Sequence, residues 1–231
     1  MSNETETPRL PDNDSVWRDT LNWQPTESQQ QQFQRLYEGI LTGNKSLNLT
    51  RIIEPEAFWE KHLWDSLAGI VPILKQEWDF SAASIQVIDI GTGAGFPGLP
   101  VAIAKADSSV KLLDSIRKKI IFLESLMTDL DIKNVIPVVG RAEQVNQRSE
   151  FKNKYHLALV RAVAAAPLCA KYALPFCQKG GRAVLYRGQW TVEEEKDLKY
   201  VLKALGGEIE AVRSFSTPLT HGIRHCIDLK V

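Results

Sequence analysis

Apolar positions along this chain change their period near residue 85. Upstream they recur at helical spacing. Thr26 and Gln29 form a capping-box pair that opens a helix expected to run through Ile40 and Leu41 and to end at Gly43 and Asn44. Pro55 opens a second helical segment, Pro55 to Leu74, with Phe58, Leu63, Leu67, Ile70, Val71 and Leu74 along one face. Downstream, short β-type runs alternate with helical ones. Strands are expected at 85–90, 109–113, 135–139, 156–161 and 182–187. Helices are expected at 97–105, 116–130, 142–147, 166–175 and 191–204, the last begun by a Thr191–Glu194 capping box. After Gly206-Gly207 two further strands, 208–215 and 223–230, follow with no helix between them.

Alternation of this kind predicts an α/β fold, a mostly parallel seven-stranded sheet covered on both faces and closed by a C-terminal antiparallel hairpin. Residues 1–14 are polar and acidic and are expected to form a disordered tail. Residues 15–80 then make an N-terminal helical extension and residues 81–231 the core, within one structural domain.

Composition narrows the setting. Lys plus Arg and Asp plus Glu both number 28, so the net charge is zero and any nucleic-acid surface must come from local clusters. Three cysteines without a C-x-x-C pair fit a reducing cytosol, and the four scattered histidines suggest no metal site. The polar start, Met1 to Leu10, lacks the apolar core of a signal peptide, and no run reaches the roughly 18 apolar residues of a membrane span. A cytoplasmic, monomeric protein is expected.

The chemistry concentrates where the first strand, Val87-Ile88-Asp89-Ile90, breaks into Gly91-Thr92-Gly93-Ala94-Gly95-Phe96-Pro97-Gly98. Glycines let the main chain approach a ligand closely, and a helix starting beyond the turn aims unpaired N–H groups into the same space. A dinucleotide site would read G-x-G-x-x-G, but here Phe96 fills the third glycine's place. Asp89, at the strand mouth, would repel a pyrophosphate and suits a ligand with an amino group and a sulfonium. Asp114, ending the second strand, suits ribose hydroxyls. These features and the closing hairpin favour S-adenosylmethionine (SAM) over NAD, and with it the class I SAM-dependent methyltransferase arrangement of a Rossmann-like sheet. Ligands in such sheets bind beyond the strands' carboxyl ends. Ala142 and Glu143 are therefore placed at the adenine amino group, Ile116 at its face, and Arg161 in the pocket. His62, Asp65 and Ser66 fall at i, i+3 and i+4, either as a polar helix rim or as a cluster aimed at that pocket.

Exclusions define the reaction further. Arg161-Ala162-Val163-Ala164 stands where amino-group methylases carry an N/D-P-P-aromatic tetrapeptide. Carbon-5 methylation of pyrimidines needs a cysteine nucleophile, whereas Cys169, Cys177 and Cys226 read as packing residues. Guanine N7 fits, because its lone pair is free and needs no general base. Elimination alone leaves an oxygen or a small-molecule amine open. A small-molecule methyltransferase could draw a lid from Trp17, Trp23, Trp59 and Trp64, and a non-catalytic SAM-binding rRNA assembly factor is a third reading.

The chain resembles the RsmG family, also called glucose-inhibited division protein B, the bacterial small-subunit rRNA guanine-N7 methyltransferases. The resemblance rests on Asn48-Leu49-Thr50, His62-Leu63-Trp64-Asp65-Ser66, the glycine turn with its Phe-Pro-Gly extension, Leu112-Leu113-Asp114-Ser115, Arg117-Lys118-Lys119, Gly140-Arg141-Ala142-Glu143, Val160-Arg161-Ala162 and Arg224-His225. These keep the family order from about residue 30 to the end. The resemblance implies SAM contacts at Gly91, Phe96, Ala142, Glu143 and Arg161, with Asp114, Ser115 and Ile116 at the ribose and adenine and Gly93 and Gly95 in the same turn. It implies a guanine in 16S rRNA as target and brings His62 and Asp65 into the active-site wall beside Arg161. Arg187 stands where the family often has lysine. Contacts to rRNA are expected from Lys45, Arg51, Arg117, Lys118, Lys119, Arg187, Arg224 and His225, with His221 nearby.

Overall fold

The computed structural model describes residues 8–80 and 82–231. Among them the N-terminal extension comprises α1 (Asp14–Leu21), α2 (Glu27–Leu47), α3 (Pro55–Phe58), a π-helical segment (Trp59–Trp64), α4 (Asp65–Ala68) and α5 (Val71–Leu74). The core runs β1 (Gln86–Ile90), α6 (Gly98–Ala104), β2 (Ser109–Asp114), α7 (Arg117–Asp129), β3 (Val135–Val139), α8 (Ala142–Val145) and β4 (Tyr155–Arg161). It continues through α9 (Ala166–Ala173), a 3₁₀ turn (Leu174–Phe176), β5 (Cys177–Arg187), α10 (Val192–Leu205), β6 (Glu208–Ser216) and β7 (Ile223–Lys230).

The strands form one sheet in the order β3-β2-β1-β4-β5-β7-β6, parallel except where β7 pairs antiparallel with β5 and β6. Side chains alternate between two cores, as strand geometry requires. Val87, Leu157, Leu159 and Val184 join the core under the N-terminal helices, α6 and α7, while Ile88, Ala158, Val160 and Ala183 pack beneath α8, α9 and α10. Arg161 follows Leu157 and Leu159 on the first face, so its side chain leaves β4 toward the N-terminal extension.

That extension departs from its sequence pattern in three places. Helix α2 keeps the Thr26–Gln29 capping box but continues past Gly43 to Leu47, because the ring of Phe122 fills the space a Cβ would need at Gly43. Asn44 closes the following loop instead, pairing both its amide atoms with the backbone of Thr50. The single helix expected over 55–74 is broken. Its middle is π-helical, and Gly69 and Ile70 interrupt it where Tyr186 packs too close to Gly69 for a Cβ and where Pro72 lacks the N–H a continuous helix needs. Of the expected tail, residues 1–7 lie outside the described residues. Residues 8–13 lie against α2, with the Leu10 amide donating to Gln34, and Asp14 already begins α1, which joins the core through Trp17 and Leu21.

The π-helical segment is buried on nearly every side, and each of its buried polar groups has found a partner. Glu60 is fully buried and accepts from the amides of Leu219 and Thr220 and from the Thr220 hydroxyl, which ties the β6–β7 turn to the segment. Arg213 of β6 donates to the carbonyls of Ala68 and Gly69 while forking onto Asp228. The hairpin and the helical extension are thereby wired into one body.

Candidate active site

Two adjoining cavities open beyond the carboxyl ends of the parallel strands. The first, about 260 Å³, is built from the ends of β1 (Ile90, Gly91), β2 (Leu113, Asp114, Ser115) and β3 (Gly140 to Glu143), with Ala162, Val163 and Tyr172 closing it. The main chain after β1 turns through Gly91, Gly93 and Gly95, all at positive φ. A Cβ on Gly91 would lie 2.6 Å from Val163 Cγ2, so this turn admits only glycine at its tightest point. Asp114 holds the turn from the neighbouring strand, accepting from the Gly93 and Ile116 amides at 2.9 and 2.8 Å. Asp114 also lines the cavity.

Apolar walls (Ile90, Leu113, Val163) with an aromatic (Tyr172) and two carboxylates (Asp114, Glu143) suit a nucleoside, whose hydroxyls and amino group are donors and whose base is flat and apolar. The cradle therefore fits the adenosine portion of SAM. Gly91, Asp114, Ser115, Ala142 and Glu143, which the sequence singled out as expected SAM contacts, are among the residues that line it. Tyr172 and Val163 were missed. Tyr172 lies in an apolar helix and Val163 in a loop, and neither stands in a motif.

Asp89 has a different position from the one its place in the strand suggested. Its side chain is fully buried, and Oδ2 accepts from the Thr92 hydroxyl at 2.6 Å and from the Gly98 amide at 2.8 Å. The α6 amide expected to face the ligand is thus satisfied from within, and Asp89 Oδ1 has no partner. Burial raises this carboxyl to about 6, against the opposing pull of the Thr92 and Gly98 hydrogen bonds. Gly95 packs against Leu99 and Leu123, and Gly93 opens toward Lys119. Phe96 is buried, stacked on the His62 imidazole with centroids 4.5 Å apart, and lies beneath the Arg161 guanidinium. Asp89, Gly93, Gly95, Phe96, Ile116 and Arg161 are therefore not among the residues lining the first cavity, and several of them shape it from behind.

The second cavity, about 630 Å³, is charged. Asp65, Arg161, Ala162, Tyr186, Arg187, Glu194 and Arg224 line it, with Gly188 and Gln189 at its edge. Ala162 lines both cavities and adopts φ +56°, a left-handed conformation that L side chains rarely take. Arg161 Nη1 donates to Asp65 Oδ2 at 3.1 Å and to the Lys61 carbonyl at 3.0 Å, and Nη2 lies 3.4 Å from His62 Nδ1. A guanidinium can only donate, so His62 Nδ1 accepts and Nε2–H donates to the Thr50 hydroxyl at 2.8 Å. Burial first, then the charges of Arg161 and Lys61, hold His62 down at about 3. This imidazole is therefore neutral at physiological pH and takes up a proton only reluctantly. The structure thus brings His62, Asp65 and Arg161 together, and adds Thr50 as the anchor of the chain.

The expected basic surface divides. Arg187 turns inward, donating to the Ala164 carbonyl at 2.9 Å and to Glu194 Oε1 at 2.6 Å. It braces the cavity wall and does not stand free for phosphate, and the two separate acceptors explain a guanidinium in place of an ammonium. Glu194 is drawn to Arg187, so only the Thr191 half of the expected capping box forms. Arg224 sits at the cavity rim with Nε 3.9 Å from Asp65 Oδ1, and His225 Nδ1 donates to the Gly188 carbonyl. Lys45, Arg51, Arg117 and Lys118 are exposed, and Lys119 reaches the glycine turn. Cys169, Cys177 and Cys226 are buried with thiols pushed upward by burial, which removes them as nucleophiles. Among the described residues no group of His, Cys, Asp and Glu could hold a metal ion, and no helix is long and apolar enough to cross a membrane.

Comparison with known proteins gives the family. Residues 29–226 match the family model described as rRNA small subunit methyltransferase G. A protein named ribosomal RNA small subunit methyltransferase G from Nostoc punctiforme is 52% identical over 221 residues, covering 96% of this chain and 90% of its own. One of the same name from Trichodesmium erythraeum is 55% identical, covering 96% and 86%. Among solved structures, a putative transferase from Pyrococcus horikoshii superposes with TM-score 0.54 at 16% identity, over 71% of this chain and 62% of that one. TYW2 from M. jannaschii, solved with AdoMet, superposes with TM-score 0.50 at 17% identity over 70% and 74%. Both share the fold.

Proposed function

The chain belongs to the rRNA small subunit methyltransferase G family, and from that premise we propose how its two cavities divide the work of methylating N7 of a guanine in 16S rRNA with SAM. The observation that carries the reading is the shared wall at Ala162, which sets a nucleoside-shaped cradle directly beside a charged cavity centred on Arg161 and Asp65. In the cradle, Asp114 and Glu143 would hold the ribose and adenine. Bound there, SAM supplies an electrophilic methyl group on a sulfonium.

The charged cavity is the place for the guanine. Its base offers an acceptor at O6 and donors at N1 and the 2-amino group, and the cavity offers donors on Arg161 and Arg224 and acceptors on Asp65 and Glu194. The N7 lone pair needs no deprotonation, which agrees with a His62 that is neutral and spent on both ring nitrogens. His62, Asp65 and Arg161 therefore act as positioning residues. Holding N7 in line with the methyl group is an effect worth up to roughly 7–11 kcal/mol. Thr50, His62 and Asp65 come from the N-terminal extension and Arg161 from the core, so a single chain completes the site. The enzyme is expected to act as a monomer in the cytoplasm.

The test is transfer of label from SAM to small ribosomal subunits and their free rRNA taken from cells lacking the modification. Label in either RNA supports the proposal and shows which form is the substrate. Label only in small molecules of a cell extract would favour a small-molecule methyltransferase.

A further inference from the structure

Helix α10 presents an outward face that neither cavity uses. Val192 and Tyr200 are each 80% exposed, and with Lys196, Lys199 and Lys203 they fall at i, i+8, i+4, i+7 and i+11, on one side of the helix. Together with Glu195 they line a shallow surface depression. The opposite side, through Leu198 and Leu202, is buried in the core, so the outward stripe is not needed for packing. Charge is sorted along the helix. Glu193, Glu194 and Glu195 occupy the first turn, where the helix dipole favours acids, and beyond exposed Asp197 only lysines follow. Glu195 is already bound to Lys199 and to the Trp190 indole.

Helix α10 begins at the active site, with the stripe on the side of the helix turned away from the cavity. Glu194, in the same first turn, lines the charged cavity and holds Arg187, so α10 starts at the cavity wall and leads away from it. An exposed aromatic among spaced lysines has the chemistry of a surface for RNA, with phosphates on the ammonium groups and a base on the ring. We infer that this face of α10 docks the rRNA strand flanking the target guanine, with Lys196, Lys199 and Lys203 on phosphates and Tyr200 under an unstacked base. The inference rests on the guanine being bound in the charged cavity, and it assigns the path the strand takes outside it.

The test compares wild type with K196A/K199A/K203A and with Y200A, in binding of small-subunit rRNA across salt concentrations and in methyl transfer. All four side chains are exposed, so folding and SAM affinity should be unchanged. The triple variant should bind about tenfold or more weakly, its salt dependence should flatten by about one phosphate per lysine, and KM should rise while kcat at saturation holds. Triple replacement by arginine should restore binding, and Y200F should behave as wild type while Y200A binds more weakly. A triple alanine variant equal to wild type in affinity, salt slope and KM overturns the docking face while leaving the enzyme reading intact. A wild-type protein that methylates no RNA overturns the enzyme reading, and one that also binds none overturns both.

Discussion

Arg161, at the carboxyl end of β4, donates to Asp65 on α4 at 3.1 Å, with both side chains at least 85% withdrawn from solvent. This contact joins the methyltransferase core to the N-terminal extension at the edge of the charged cavity. Arg161→Ala leaves Asp65 buried with only the more distant Arg224, and removing one partner of such a pair costs roughly 3–5 kcal/mol when burial is complete, less here. We expect a lower melting temperature and a kcat reduced at least a hundredfold, with SAM affinity much less affected. Arg161→Lys keeps the charge but cannot reach Asp65, the Lys61 carbonyl and His62 together, so it should recover stability better than kcat. Stopped assays at saturating SAM and RNA, with thermal unfolding of the same samples, separate the two. A variant with normal kcat would remove Arg161 from the site.

The buried histidine and aspartate predict opposite pH effects on stability. His62 is held at about 3, whereas an unfolded histidine titrates near 6.5. As pH falls through that window the unfolded chain takes up a proton that the native site refuses, so His62 costs stability by up to about 1.4 kcal/mol per pH unit. Asp89 is raised to about 6 from 3.8, so over that interval the native state takes up the proton first and gains stability as pH falls. Relative to wild type, His62→Gln should lose less stability between pH 6.5 and 4, and Asp89→Asn should lose more. Denaturant midpoints across this range measure both, and curves parallel to wild type would contradict the assignment.

Asp89 itself distinguishes a scaffold from a ligand. Asn can still accept the Gly98 and Thr92 hydrogen bonds at one oxygen, whereas Ala leaves a buried amide unpaired at a cost of about 1–3 kcal/mol. If the carboxylate holds the glycine turn, Asp89→Asn keeps most of the SAM affinity and Asp89→Ala loses it. Calorimetric titration giving equal losses for both would instead place the negative charge in direct contact with the ligand.

At Gly91 the cradle depends on the space in front of Val163. Gly91→Ala adds a methyl 2.6 Å from Val163 Cγ2 at a φ of +71°, where the backbone alone costs roughly 1–2 kcal/mol. SAM affinity should fall at least tenfold. Adding Val163→Ala should restore part of it, by relieving the clash but not the backbone strain. A double variant no better than the single would show that the clash is not what limits binding.

The parallel part of the sheet was legible because β1 to β4 are short apolar runs bounded by turn residues, and the closing antiparallel hairpin is present as expected, whereas β5 begins at Cys177, five residues ahead of the expected 182. Where the sequence misled, a distant side chain had overruled a local signal. Gly43 stops a helix by propensity, yet Phe122 fills the groove it leaves and α2 runs on. Glu194 has capping-box spacing, yet Arg187 captures its carboxylate. Asp89 stands at the strand mouth in sequence, but only three-dimensional burial turns it back onto Thr92 and Gly98. Period-3.6 patterning could not show the π-helical segment, because the polar Glu60 and His62 are buried there alongside the apolar residues. Thr50 belonged to a recognisable tripeptide, but its bond to His62 spans a loop and leaves no spacing signal.

The most direct measurement locates the transferred methyl group. Small-subunit rRNA lacking the modification is incubated with SAM and either wild type or the Arg161→Ala variant, then subjected to strand cleavage specific for N7-methylguanine. Wild type should give one new cleavage at a guanine, and the variant should nearly abolish it despite bound SAM. Methyl label that enters RNA without any N7-dependent cleavage, or cleavage undiminished in the variant, would contradict the proposed function.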